Sequence, residues 1–338
     1  MTVDTVLVLK PLRAEGLALI EAREDIEVVR LDAPTPETLD ERVRRADAIC
    51  IKNTPLSEAT LERAERLRVV AKHGVGLDNL PMAALTRRGI PVLTVGDANA
   101  ASVAEHALML MLGLARRSGR YDARARAGGY ITDPAWPTHE LAGARLLLVG
   151  LGRIGERVAR LARAFDMDVA AFDPWAPDEA LARAGVRRET DLDAALARAD
   201  HVSLHCPLTE DTRHLVNAGR LSRMKPGAFL INTARGELVD EAALLAALPV
   251  DPDGAGRGAS VPAAPTGLAG AGLDVFEAEP PDPANPLFAN PCVLVSPHSA
   301  ALTVETAVRM ARLTAANALA GLDGAYDARY LANPEIER

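Results

Sequence analysis

The sequence predicts an α/β protein of two doubly wound parallel-sheet domains with a cleft between them. Three observations carry this. Short β-rich runs alternate with amphipathic runs along nearly the whole chain, the alternation that builds a parallel sheet covered by helices. The alternation comes in two series, separated by an apolar stretch over 101–117. The 338 residues, 49% hydrophobic and 25% charged, suffice for two hydrophobic cores.

In the first series TVLVL (5–9), EVVRL (27–31), DAICI (47–51), RVVA (68–71) and PVLT (91–94) read as strands. Segments between them, such as LSEATLERAERL (56–67), place apolar residues at helical spacing, with Ser57 as N-cap. ASVAEHALMLMLGLARR (101–117) reads as a long, deeply buried helix. The second series runs through RLLLV (145–149), DVAAF (168–172), HVSLH (201–205), AFLIN (228–232), LAGAGL (268–273) and CVLV (292–295). The helix TVETAVRMARLTAANALAGL (303–322) comes too late for the second sheet and is expected to return to the first domain. The expected division is therefore a discontinuous domain, 1–100 plus 302–338, and a second domain, 101–301. PVDPDGAGRGASVPAAPTG (249–267) holds four prolines and four glycines in 19 residues. It leaves little to bury and is expected to be a mobile excursion, joining a helix to a strand at the edge away from ligands.

Composition excludes several classes. The net charge is −8 and no Lys/Arg block stands out, so nucleic acid is not an expected partner. No run reaches the roughly 18 apolar residues of a membrane span, and MTVDTVLVLKPL reads as a strand rather than a signal peptide. Cys50, Cys206 and Cys292 are scattered, which fits neither a disulfide framework nor a metal site and points to a reducing cytoplasm.

Gly150, Gly152 and Gly155 form G-x-G-x-x-G directly after RLLLV and at the opening of an amphipathic helix. The first glycine permits a tight turn, the second lets a pyrophosphate approach the backbone, and the third lets helix and strand press together. Asp173, 18 residues after Gly155, ends the next strand, where a carboxylate accepts ribose hydroxyls and repels a 2′-phosphate. The pattern predicts a Rossmann unit that takes NAD rather than NADP, beside a related flavodoxin-like first domain.

INTARGELVD (231–240), AGLDVFEAEPPD (271–282) and SPHSAALTVE (296–305) each begin β-rich and end polar. Each therefore delivers a polar group to the sheet's C-terminal edge: Arg235, Asp274 with Glu279, and His298. A lone histidine there reads first as a capping or core residue; three such segments after a dinucleotide turn favour chemistry. In the first domain RVVA runs into KHGVG (72–76), where two glycines open backbone N–H groups to an anion and Lys72 adds a charge.

The stretches KHGVGLDN, NAASVAEHALMLML, ELAGARLLLVGLGRIG, HCPLTEDTRHLVN, MKPGAFLINTARGELVDEAAL, AGLDVFEAEP and SPHSAALT follow one another over nearly the whole chain. Together they resemble the D-isomer-specific 2-hydroxyacid dehydrogenase family, in its phosphoglycerate and glycerate dehydrogenase-like branch. The resemblance implies NAD-dependent interconversion of a D-2-hydroxy acid and its 2-keto acid by hydride transfer. It implies Arg235, Glu279 and His298 as catalytic residues, with His298 the general acid/base. Cofactor positions carry over to Gly150, Gly152, Arg153, Ile154, Gly155, Asp173, Cys206, Pro207, Thr212, Thr233, Ala234, Arg235, Asp274, His298 and Ala300. Substrate positions carry over to Lys52, Lys72, Val75 and Gly76, with Arg235 and His298.

Physical chemistry agrees with these roles. Reduction of a keto group leaves an alkoxide that an imidazole can protonate, and a neighbouring carboxylate favours the protonated ring. Arg235 offers a planar fork to carboxylate or carbonyl oxygen, and Asp274 is expected to hold the nicotinamide end rather than move protons.

The helix at 101–117 and RYDARARAGGYITDPAW (120–136) resemble the family's dimerisation arm, so a homodimer is expected. Three features depart from the family pattern. The 249–267 excursion is long, Lys52 and Lys72 stand where phosphoglycerate-specific members have arginines, and with the sequence ending at Arg338 no C-terminal regulatory domain is expected. The alternative activity is an NAD(H)-sensing corepressor-like binding protein.

Overall fold

A computed structural model of the chain describes residues 3–130, 137–249 and 267–337. The expected excursion over 249–267 and the end of the 120–136 arm lie mostly outside the described residues. The chain divides into two compact units, one of Met1–Asn99 with Leu302–Arg338, the other of Ala100–Ala301.

The first unit runs β1 (Asp4–Leu9), α1 (Ala14–Glu21), β2 (Ile26–Leu31), α2 (Pro36–Val43), β3 (Ala48–Ile51), α3 (Glu58–Arg63), β4 (Val69–Lys72), α4 (Met82–Arg87) and β5 (Val92–Leu93). Its five strands are parallel in the order β2-β1-β3-β4-β5. The second unit runs α5 (Ala100–Ala115), α6 (Ser118–Arg126), β6 (Arg145–Val149), α7 (Arg153–Ala164), β7 (Asp168–Phe172), α8 (Asp178–Ala184), β8 (Arg187–Glu189), α9 (Leu192–Leu196), β9 (His201–Leu204), α10 (Ala218–Leu221), β10 (Phe229–Asn232), α11 (Glu241–Ala247), β11 (Gly270–Leu273) and β12 (Val293–Val295). Its seven parallel strands lie in the order β12-β11-β10-β9-β6-β7-β8. The last helix, α12 (Val304–Leu322), packs in the first unit, with Ala311, Ala315 and Ala318 against Val6, Val8 and Val69.

Strand periodicity explains why these runs are apolar throughout. Successive side chains point to opposite faces, and both faces are covered. In β6, Leu146 and Leu148 join the core beneath α5 and α7, whereas Leu147 and Val149 join the core beneath α9, α10 and α11. In β1, Leu7 and Leu9 face α2 and α3, while Val6 and Val8 face α1 and α12. β8, whose sequence is RRE, escapes this logic: an edge strand held by β7 alone needs no apolar run, and the sequence reading missed it. The deeply buried helix over 101–117 also needs correction. α5 buries one face through Val103, Leu110 and Met111, but Met109 remains 50% exposed and Glu105 faces solvent.

Three histidines sit at strand ends in a low-dielectric setting. Burial pushes His205 down to about 4. Burial also pushes His201 down to about 4, opposed by the Asp200 carboxylate and aided by His139. For His73, burial and then the repelling charges of Lys52 and Lys72 have the same result, about 4. Each takes a proton near 6.5 when unfolded but resists it when folded. Their stabilisation is complete above about 6.5 and is lost as pH falls toward 4, on the order of 3 kcal/mol each at most. The unfolding temperature is therefore expected to fall steadily over that range. His201→Leu, which also removes a buried Nδ1 that has no partner among the described residues, is expected to flatten the slope. An equal slope in the variant would contradict this.

Candidate active site

In an open parallel sheet, ligands bind beyond the carboxyl ends of the strands where the winding reverses. In the second unit that point lies between β6 and β9. β6 runs straight into Gly150, whose φ of +98° is one side chains rarely adopt; a Cβ there would sit 2.7 Å from the Cys206 amide nitrogen. A Cβ on Gly155 would come within 2.5 Å of the Gly150 oxygen, so only glycine lets α7 press so close. Gly152 differs. Its φ is an ordinary −81°, and a Cβ there would meet nothing within 4 Å. Space is held open at the start of a twelve-residue helix whose N-cap carries no side chain. The amides of Gly152, Arg153, Ile154 and Gly155 take no partner among the described residues. Open room, four available N–H groups and the positive end of a helix dipole fit a pyrophosphate.

Asp173 follows β7 directly. Its Oδ2 accepts the Leu151 amide at 2.8 Å, and its Oδ1 accepts the amides of Trp175 and Ala176 at 2.9 and 3.1 Å. The carboxylate thus ties the glycine loop to the second strand, and lone pairs remain for hydroxyl donors. Burial pushes the Cys206 thiol up to about 11, a backbone hydrogen bond opposing and the Asp173 charge adding, so it stays neutral. After Pro207, the Thr212 hydroxyl donates to the Pro207 carbonyl at 2.8 Å and closes that turn. The Thr233 hydroxyl is buried with no partner among the described residues, a vacancy that a polar ligand group would fill.

The polar ends of the next three segments come together in this unit. Asn232, 1% exposed, accepts the Ala234 amide and donates to the Arg235 carbonyl, which sets the turn carrying Arg235. A Cβ on Gly236 would lie 1.9 Å from the Phe276 carbonyl carbon, so the 235–238 segment rests directly on the loop that leads to Glu279. Arg235 acts electrostatically on Glu279 and donates through Nη1 to the Ala234 carbonyl at 2.6 Å.

His298 Nδ1 lies 2.7 Å from Glu279 Oε2, and Glu279 Oε1 accepts the Phe276 amide at 3.3 Å. Burial acts to raise the Glu279 carboxyl, but the His298 hydrogen bond and charge, the Phe276 amide and Arg235 together hold it below its ordinary value. Glu279 is therefore an anion at neutral pH and takes a proton-bearing Nδ1, which leaves Nε2 as the nitrogen able to exchange a proton.

Asp274 lies deeper, at 1% exposure. Its carboxylate accepts the Ser296 hydroxyl and the amides of Ser299 and Ala300, so its work in this structure is to hold the loop that carries His298.

In the first unit, winding reverses between β1 and β3. Lys52 follows β3, and Lys10, which the sequence reading passed over, follows β1 in a left-handed conformation with φ +66°. No apolar or glycine pattern marks such a lysine; only the strand order does. Lys72 requires a correction. It is 4% exposed, and its ammonium donates to the Lys52 carbonyl and, at 2.6 Å, to Asn79 Oδ1. It braces the 52–54 and 72–79 loops from inside rather than offering a solvent-facing charge. In the loop it braces, the amides of Val75 and Gly76 take no partner among the described residues, whereas His73 and Gly74 bond to Ile51 and Lys72 carbonyls.

Residues 108–255 and 264–300 match the family described as D-isomer specific 2-hydroxyacid dehydrogenase, NAD binding domain. The chain is 36% identical over 301 residues to a D-3-phosphoglycerate dehydrogenase of Methanocaldococcus jannaschii, covering 89% of this chain but 54% of that protein. It therefore spans about half the length of that relative. A glyoxylate reductase of Korarchaeum cryptofilum is 35% identical over 322 residues, covering 93% of this chain and 92% of the relative. The crystal structure of D-lactate dehydrogenase from Aquifex aeolicus, complexed with NAD and lactic acid, superposes with a TM-score of 0.84 at 27% identity, covering 97% of this chain and 99% of that one. The chain belongs to the D-isomer specific 2-hydroxyacid dehydrogenase family, and its second unit is that family's NAD-binding domain.

Proposed function

We propose that this protein is an NAD-dependent oxidoreductase that interconverts a D-2-hydroxy acid and the matching 2-keto acid. The carrying observation is the 2.7 Å His298–Glu279 pair in the same unit as an open glycine loop whose 152–155 amides take no partner among the described residues. NADH, held by the glycine loop at Gly150–Gly155 and by Asp173, would supply a hydride to the carbonyl carbon. His298 Nε2 gives the resulting alkoxide its proton and takes one back in the oxidation direction. Glu279 holds the ring's orientation and tautomer through Nδ1. Arg235 orients the substrate through its carboxylate or carbonyl oxygen and polarises the carbonyl. Asp274 and Ala300 shape the cofactor side of the histidine loop. The first unit acts as the substrate domain: the Val75 and Gly76 amides receive the carboxylate, and Lys52 adds the charge that Lys72 does not present.

A panel of glyoxylate, hydroxypyruvate, 3-phosphohydroxypyruvate and 3-sulfopyruvate tests this reading with NADH and NADPH. Turnover of a small 2-keto acid, faster with NADH because Asp173 repels a 2′-phosphate, is expected. Tight NADH binding with no oxidation across the panel would overturn it. Gly152→Asp is expected to fold as well as the parent, since aspartate is a good N-cap. Its carboxylate would occupy the pyrophosphate's place and weaken NADH binding by at least about a hundred-fold, or about 2.7 kcal/mol. Retained affinity would remove the cofactor from this loop.

The proposed assembly is a homodimer in the cytoplasm. In support, α5 and α7 leave an apolar groove of about 560 Å³ lined by Leu108, Met109, Leu112, Leu161 and Phe165, a surface of the kind that marks association sites. No helix among the described residues is long and apolar enough to cross a membrane. Met109→Glu is expected to give a monomer by sedimentation equilibrium, and an unchanged dimer mass would point to another interface.

A further inference from the structure

One face of α5 grips the loop that carries His298. His106 Nε2 lies 2.7 Å from Ser296 Oγ, and Ser296 Oγ lies 2.6 Å from Asp274 Oδ1. A carboxylate only accepts, so the single Ser296 hydroxyl proton goes to Asp274 and the His106 nitrogen must donate to Ser296. The direction of the chain is thereby settled: His106 to Ser296 to Asp274. One turn earlier on the same face, Ser102 Oγ donates to the Ala300 carbonyl at 2.7 Å.

Among the described residues the other hydrogen bonds to Asp274 come from the same loop, while His106 Nε2 itself lies 3.6 Å from Asp274 Oδ1. Its carboxylate takes the amides of Ser299 and Ala300, and its carbonyl takes the His298 amide at 2.7 Å. His298 itself has φ +51°, a left-handed conformation that a non-glycine residue keeps only where its surroundings over-determine it. Beyond this loop the ring meets Glu279 at hydrogen-bond distance. A small shift of the loop would part the two, because Nδ1–H bonds weaken steeply with distance and angle.

We propose that Ser296, with His106 and Ser102 of α5, forms a positioning relay that holds the His298 backbone where Nδ1 meets Glu279. None of the three touches the reacting atoms. The inference rests on His298 being the acid/base, so its test includes a readout that does not require turnover. In the proton NMR spectrum, the Nδ1–H bonded to Glu279 gives a downfield resonance, assigned by its loss in His298→Asn. The relay predicts that this resonance persists in Ser296→Thr and in His106→Gln, which keep a hydroxyl and a donor. It predicts loss or exchange broadening in Ser296→Ala and His106→Phe. In kinetics the two disruptive variants are expected to lose at least about ten-fold in kcat, as sub-ångström misplacement of a reacting group does. The KM for NADH is expected to stay within about two-fold, and the conservative variants to recover most of the rate.

An unmoved resonance in Ser296→Ala and His106→Phe would overturn the relay. So would equal kcat losses in Ser296→Ala and Ser296→Thr, which would signify mere packing. If the parent protein turned over no 2-keto acid, the functional reading would fall, while the resonance would still decide the relay. If Ser296→Ala failed to fold, His106→Phe carries the same comparison from the far end of the chain.

Discussion

His298→Asn lowers kcat by roughly 10²- to 10⁴-fold while NADH binding stays near that of the parent. Asparagine is the right replacement because residue 298 sits at φ +51°, and asparagine tolerates left-handed backbone better than alanine or glutamine. The variant keeps the loop's bonds to Asp274, which are made by the amides of 298, 299 and 300 and by Ser296 rather than by the imidazole. What disappears is the only group at this position able to deliver a proton from Nε2. Stopped-flow fluorescence for NADH binding and steady-state assay for turnover separate the two effects. A variant within ten-fold of the parent's kcat would mean that the proton comes from elsewhere.

Arg235→Lys lowers kcat/KM by about 10²- to 10³-fold, roughly 3–4 kcal/mol of transition-state stabilisation. Lysine keeps the charge but loses the planar fork that holds a carboxylate or a developing oxyanion in two bonds. The local fold is expected to survive, since Asn232 sets the turn through backbone atoms of 234 and 235. The effect falls on both kcat and KM, as substrate orientation and carbonyl polarisation weaken together. An unchanged kcat/KM would reduce Arg235 to a partner of Glu279.

Much of this was legible in the sequence because the relevant signals are local. Buried parallel strands are continuous apolar runs, so RLLLV and HVSLH could be read directly, and the glycine spacing after RLLLV marks a turn that only glycine makes. Segments 231–240 and 271–282 each open on the end of a strand and turn polar, and 296–305 directly follows the strand Val293–Val295, which brought Arg235, Glu279 and His298 forward. What could not be read depends on partners far apart in the chain. Lys72 looks like an exposed cation beside glycines; that its ammonium is enclosed by Lys52 and Asn79 follows from the order of β3 and β4. Asp274 looks like another site acid, whereas its donors come from residues more than twenty positions later. His106 meets Ser296 across 190 positions of sequence, and no periodicity encodes that contact. β8 had no hydrophobic pattern to find.

The proton path is tested most directly by a crystal structure of the protein with NADH and oxamate, a non-reducible analogue of a 2-keto acid. The account predicts His298 Nε2 at hydrogen-bond distance, about 2.6–3.2 Å, from the analogue's carbonyl oxygen, with Nδ1 still on Glu279. An imidazole turned away from that oxygen, with another group donating to it, would contradict the account.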